Sequence, residues 1–315
     1  MSNILAERSV LMRLSVGLPG QHRKDKRLTG EVQEERAMGK DSGKWVKDLF
    51  PEIALKAIKT KQNEARAYHE KVTLPFGCRG EDNEGEASAL AGIGILPAAL
   101  IKEYGDTMRQ FAGEIGALVD TFIAQPNCWV DWARAVHNGT FDPANYPGVS
   151  IGAAGDVQVD TAVWAEKMRK KFYLRTEPLP VPNAEHFTAA VTSLLGVDVD
   201  SVTARVRDAE VEARRELVRR LIDPVRAMAA KLAEAPKGDK DCPVFRDTLI
   251  GNVQDIVRLA PALNIAGDAQ IDAFVAEIEG LTRYAPGTLR KDGAIRSEAA
   301  AKAAATLKRL SGYSL

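Results

Sequence analysis

The chain is 315 residues long, with 43 Lys plus Arg balanced by 43 Asp plus Glu, 45% hydrophobic residues and only 6% aromatic. That balance excludes a chain-wide field drawing it to nucleic acid or to a membrane surface, so a charged partner has to meet a local patch. The ordinary hydrophobic content excludes wholesale disorder, and scarce aromatics beside many alanines favour helix over a β-sandwich.

Cys78, Cys128 and Cys242 lie far apart and form no CxxC pair, which points away from a disulfide framework or a zinc site and towards a reducing compartment. The opening MSNILAERSVLMRLSVGL carries Glu7 and Arg8 before an apolar stretch broken by Arg13 and Ser15, unlike a secretory leader. No segment approaches the roughly 20 apolar residues of a membrane span. The expectation is a cytoplasmic protein with no membrane partner.

Val10, Met12, Leu14, Val16 and Leu18 alternate with their neighbours, the period of a half-buried strand over 10–18, which Pro19-Gly20 ends. The turn QHRKDKR follows, and it carries the basic cluster Arg23, Lys24, Lys26 and Arg27. After Pro51 the spacing predicts a helix to about 71, then a short strand over 72–76. Residues 77–96, acidic and then small and Gly-rich, read as a mobile loop.

From Pro97 onward Leu100, Tyr104, Met108, Phe111, Ile115, Leu118 and Phe122 recur at three and four, predicting a long helix with one buried face. Pro126 opens another helix, closed at Asn138-Gly139. Residues 140–155 read as loop and candidate hinge, and Asp160 as the cap of a helix running to Lys171. Three prolines in YLRTEPLPVPN allow at most an edge strand near 173–179. A second long helix spans about 200–234, its stripe running from Val202 to Leu232 under a charged exterior. Pro224 inside it predicts a kink. Three further helices follow near 244–262, 268–283 and 294–311, the last Ala-rich and read as an independent arm.

Among motifs, GKDSGKW fails as a phosphate loop, because Met38 stands where the first glycine belongs and Trp45 where a metal-binding hydroxyl is needed. GVSIGAAGD, 148–156, lacks the flanking strand and basic residue of an anion loop. Cys128 and His137 are nine apart on one helix, too far to form a nucleophile–base pair. Trp129 and Trp132 share a face that covers core, with a base-stacking platform as the alternative. His22, His69 and His186 have no partner at metal-ligand spacing. No catalytic residue, metal site or cofactor is assigned, and the chain reads as non-enzymatic.

Lys167, Arg169, Lys170, Lys171 and Arg175 frame Phe172 and Tyr173. Cations for phosphates with rings for bases are what single-stranded nucleic acid requires. The same pattern arises when cations complement a helix C-terminus over a core phenylalanine.

RSVLMRLSVGLPGQHRKDK, LFPEIALKAI, VTLPFG, ALIKEYGDTMRQFAGEIGALVDTFIA and FRDTLIGNVQDIVRLAPALNIAGD, in that order, resemble a family of bacteriophage and mobile-element proteins of unknown function. The resemblance implies an accessory role beside MoxR-type AAA+ ATPases or recombination genes, and it transfers no site residue. The expected fold is mainly α, an elongated helical bundle with two long amphipathic helices and a small accessory β-sheet. The expected division is a mixed lobe over 1–183 and a helical lobe over 184–315. The expected function is a phage-encoded accessory protein, oligomeric or an adaptor for an AAA+ ATPase, with single-stranded DNA binding as the alternative.

Overall fold

In the computed structural model, residues 4–36, 39, 43–76, 92–183, 199–233 and 247–313 are described. The protein is mainly helical with a small antiparallel sheet. Helices α1 (Ile4–Arg8), α2 (Lys26–Glu35), α3 (Glu52–Val72), α4 (Ile101–Ile123), α5 (Pro126–His137) and α6 (Thr161–Arg169) are followed by α7 (Val199–Ala233), α8 (Asp247–Leu263), α9 (Ala269–Leu281), α10 (Pro286–Lys291) and α11 (Gly293–Ser311). None of them is long and apolar enough to cross a membrane.

Strands β1 (Ser9–Gly17), β4 (Leu74–Pro75), β5 (Ile93–Pro97) and β8 (Tyr173–Leu179) form one sheet in the order β4-β5-β1-β8. Pro75 and Pro178 stand in the edge strands β4 and β8, and Pro97 closes the interior strand β5 at its last residue, the positions where a missing N–H disturbs the ladder least. The mobile loop expected through residue 96 is corrected here, because Ile93–Pro97 pairs antiparallel with β1, Leu11 facing Ile95 and Met12 facing Gly94. Gly94 is a packing residue: a Cβ there would lie 2.4 Å from Thr73 Oγ1, so only glycine lets β4 approach this closely. Residues 77–91 of that expected loop, and the linker expected near 236–241, lie outside the described residues.

Two small ribbons complete the strands. β2 (His22–Lys24) pairs with β3 (Val46–Asp48), and β6 (Val149–Ile151) pairs with β7 (Val157–Val159). The second ribbon replaces the featureless loop expected over 140–155. Its alternation spans only three residues a side, too short to register against the surrounding glycines and prolines.

The described chain forms two compact units, each gathered from separated stretches. One comprises Met1–Arg13, His69–Tyr104 and Glu177–Leu315, and the other Leu14–Tyr68 and Gly105–Thr176. A single cut at residue 183 does not describe this division, since composition carries no record of interleaving.

In the first unit α7 is the central helix, with α11, α8, α9 and β4 packed on it. Leu217, Leu221, Val225 and Met228 form its buried stripe. The helix is continuous through Pro224. α11 is no independent arm: its small Ala299 and Ala303 are fully buried, which lets it lie close along α7. In the second unit Phe50, Phe122, Trp164, Met168 and Phe172 build an aromatic core, with Phe50 edge-on to Phe122 at 5.4 Å.

Candidate nucleic-acid interface

The α6–β8 junction, in the second unit, carries the aromatic-containing basic cluster. Asp160 caps α6 by accepting from the N–H groups of Ala162 and Val163, both at 3.0 Å. Trp164 and Met168 then face the core, one turn apart, which turns Lys167, Arg169 and Lys170 to the exposed side. Phe172 is a core residue, edge-on to Phe122 at 5.4 Å, so it offers no ring to a ligand. Tyr173 is half-buried and opens β8.

The Tyr173 ring lies against Gly17, where a Cβ would fall 2.1 Å from Tyr173 Cε1. The Arg175 guanidinium sits over the ring, 4.8 Å from its centre. With Gly17 against the ring and Arg175 over it, a flat ligand would have to displace the guanidinium or stack on the guanidinium plane.

Arg169 pairs with Asp120 at 2.5 Å, and Lys170 with Glu166 at 2.6 Å. The Glu166 carboxyl is held below its ordinary range, chiefly by the Lys170 hydrogen bond. Lys167 and Lys171 are exposed, and among the described residues neither has a carboxylate in hydrogen-bond range. The structure thus gathers all six residues of this cluster at one junction, with two cations already neutralised and two open.

The second cluster lies in the same unit, with Arg23 and Lys24 exposed on β2 and Lys26 exposed at the start of α2. The Arg27 side chain lies outside the described set. Asp25, between them, points inward to an ion pair with Lys47. His22 pairs with Asp48 on the neighbouring strand, and the Asp48 carbonyl lies 2.6 Å from His137 Nε2. This short polar chain was not legible in sequence, because its members stand 26 and 89 residues apart. Cys128 is exposed on α5, and His137 is turned to the Asp48 carbonyl, so the two do not assemble. Trp129 stacks on Phe122 at 5.3 Å and donates its indole N–H to the Phe122 carbonyl, a core role. Among the described residues no group of three or more His, Cys, Asp or Glu is arranged to hold a metal.

Other charged surfaces are more self-contained. Along α7 the exterior charges pair within the helix, Glu210 with Arg214 at 2.6 Å, Glu216 with Arg219 at 2.8 Å and Asp223 with Arg226 at 3.1 Å. Between α9 and α11 an open cleft of about 520 Å³ has Lys302 and Arg309 on its walls, the first bound by Glu298 at 2.6 Å and the second by Glu277. Compared with known proteins, the chain matches no family model, no curated protein and no solved structure.

Proposed function

We propose that the chain is a non-enzymatic accessory protein of a bacteriophage or mobile element that binds single-stranded DNA through the α6–β8 junction. The observation that carries this reading is Tyr173 packed against Gly17 and under Arg175, at the same junction as the exposed Lys167 and Lys171, which among the described residues have no carboxylate in hydrogen-bond range. Phosphates supply the missing counter-charge and bases the stacking surface. The α7 exterior, neutralised within itself, supports a docking role less well.

The test is fluorescence anisotropy of a labelled single-stranded oligonucleotide at two salt concentrations. Binding is expected to weaken steeply with salt, and the Lys167→Ala/Lys171→Ala variant to lower the logarithmic slope by about 1.4 for its two lost phosphate contacts. An unchanged slope in that variant refutes the reading.

A second reading is self-association or an adaptor role for an AAA+ ATPase, motivated by the two long helical stripes of the sequence. Co-purification with neighbouring gene products followed by light scattering tests it. A strict monomer that captures nothing counts against it.

A further inference from the structure

Trp45, at the end of the GKDSGKW stretch, is an exposed aromatic. The residue is 51% exposed, yet its backbone is fixed on both sides. The Trp45 N–H donates to Thr29 Oγ1 at 2.9 Å, and its carbonyl accepts from the Asp25 N–H at 2.9 Å. The β2–β3 ladder, Arg23 opposite Lys47 and Lys24 opposite Val46, therefore brings this indole to the basic turn some twenty residues earlier in the chain.

Arg23, Lys24, Lys26 and Lys44 are all exposed, and none has a carboxylate in hydrogen-bond range among the described residues. The nearby acids are engaged, Asp25 by Lys47 and Asp48 by His22. Glu31, Glu34 and Glu35 lie on α2 more than one turn from Lys26, and Gln33 among them donates to the Gly43 carbonyl at 3.0 Å, beside Lys44. An exposed indole on the same ribbon as exposed cations is the combination of ring and charge that an anionic ligand with a flat face uses.

We propose that the β2–β3 ribbon is a second single-strand contact, in which one base stacks on Trp45 while Arg23, Lys24, Lys26 and Lys44 take the flanking phosphates. The proposal shares its ligand class with the α6–β8 reading and rests on that reading for nothing else. A backbone pinned by two hydrogen bonds presents the ring at little ordering cost, the condition for a sequence-tolerant stacking site.

The experiment is titration of the full chain with oligo-dT while tryptophan emission is followed, in the wild type, in Trp45→Phe, and in the Lys167→Ala/Lys171→Ala background. Quenching is expected in the wild type, absent in Trp45→Phe, and retained at higher oligonucleotide concentration in the double variant. Trp45→Ala is expected to weaken binding roughly 5- to 100-fold, the range for loss of one stacked base. Circular dichroism of Trp45→Phe checks that the fold is kept. Quenching that persists in Trp45→Phe overturns the proposal. So does its absence in the wild type, whether or not Trp45 emission then shifts with protein concentration, the mark of a self-contact. Loss of quenching only in the Lys167→Ala/Lys171→Ala background would leave the α6–β8 site standing and remove this one.

Discussion

The phenol of Tyr104 and Nδ1 of His69 share a hydrogen bond of 2.9 Å in the interior of the first unit. A second hydrogen bond, with the Gly92 backbone, favours the charged imidazole. Both rings are almost wholly buried, His69 at 4% and Tyr104 at 2% exposure. Burial pushes the imidazole down to about 4, against a smaller opposing effect of the Gly92 hydrogen bond.

This pair makes the fold acid-sensitive in a defined window. The unfolded chain takes up the His69 proton near pH 6.5, the folded chain only near pH 4, so between them the unfolded state binds more protons. The stabilisation is complete above pH 6.5 and is lost as pH falls towards 4, at about 1.4 kcal/mol per unit. From pH 6.5 to 5 the wild type is expected to lose about 2 kcal/mol by this route. His69→Gln keeps a donor and an acceptor for Tyr104 and Gly92 but cannot titrate. Denaturant titrations at the two pH values are expected to show a markedly smaller loss for His69→Gln, and equal losses would sink the assignment.

Asp25 combines two tasks whose separation is measurable. Its Oδ1 caps α2 by accepting from Leu28 N–H at 3.0 Å, and its Oδ2 meets the Lys47 ammonium, which also donates to the Thr140 carbonyl at 2.8 Å. Side-chain exposure of 7% and 13% makes this a buried pair, and breaking one partner of such a pair costs about 3–5 kcal/mol. Asp25→Ala is expected near that range. Asp25→Asn, which retains the cap, is expected to cost less. Adding Lys47→Met to Asp25→Asn is expected to recover part of the loss, because no charge is then left buried. Additive losses in the double variant, measured by chemical denaturation, would show that the pair contributes nothing.

What could be read from the sequence and what could not divides along contact range. β1, β8 and the stripes of α4 and α7 announce themselves through local periodicity and proline placement. β5 was hidden because Gly92 and Gly94 look like loop residues until Thr73, twenty-one positions away, explains why a side chain is excluded at 94. The Lys167–Arg175 cluster was legible because its members are neighbours in sequence. The Trp45 platform was not, since strand pairing alone joins it to Arg23 and Lys24. The burial of α11 was likewise invisible, because Ala-rich composition is the same for a free helix and for one pressed against a neighbour.

The contact between Gly17 and Tyr173 gives the most direct check on the α6–β8 platform. A Cβ at position 17 would sit 2.1, 2.5 and 2.6 Å from three ring atoms, so Gly17→Ala forces the ring to move. The ring is half-buried and its outward swing also breaks the Arg175 stack at 4.8 Å, so a cost of about 1–3 kcal/mol is expected, as for other overpacked sites. Tyr173→Ala removes the obstruction. In the double variant Gly17→Ala is therefore expected to add far less than it does alone, a coupling that thermal or chemical denaturation reads directly. The same pair separates packing from binding. If the ring position matters to a stacked base, Gly17→Ala weakens oligonucleotide affinity while leaving its salt slope unchanged, because no phosphate contact is lost. Gly17→Ala with undiminished affinity would mean that Tyr173 supports β8 and that Arg175 and the lysines alone meet the strand.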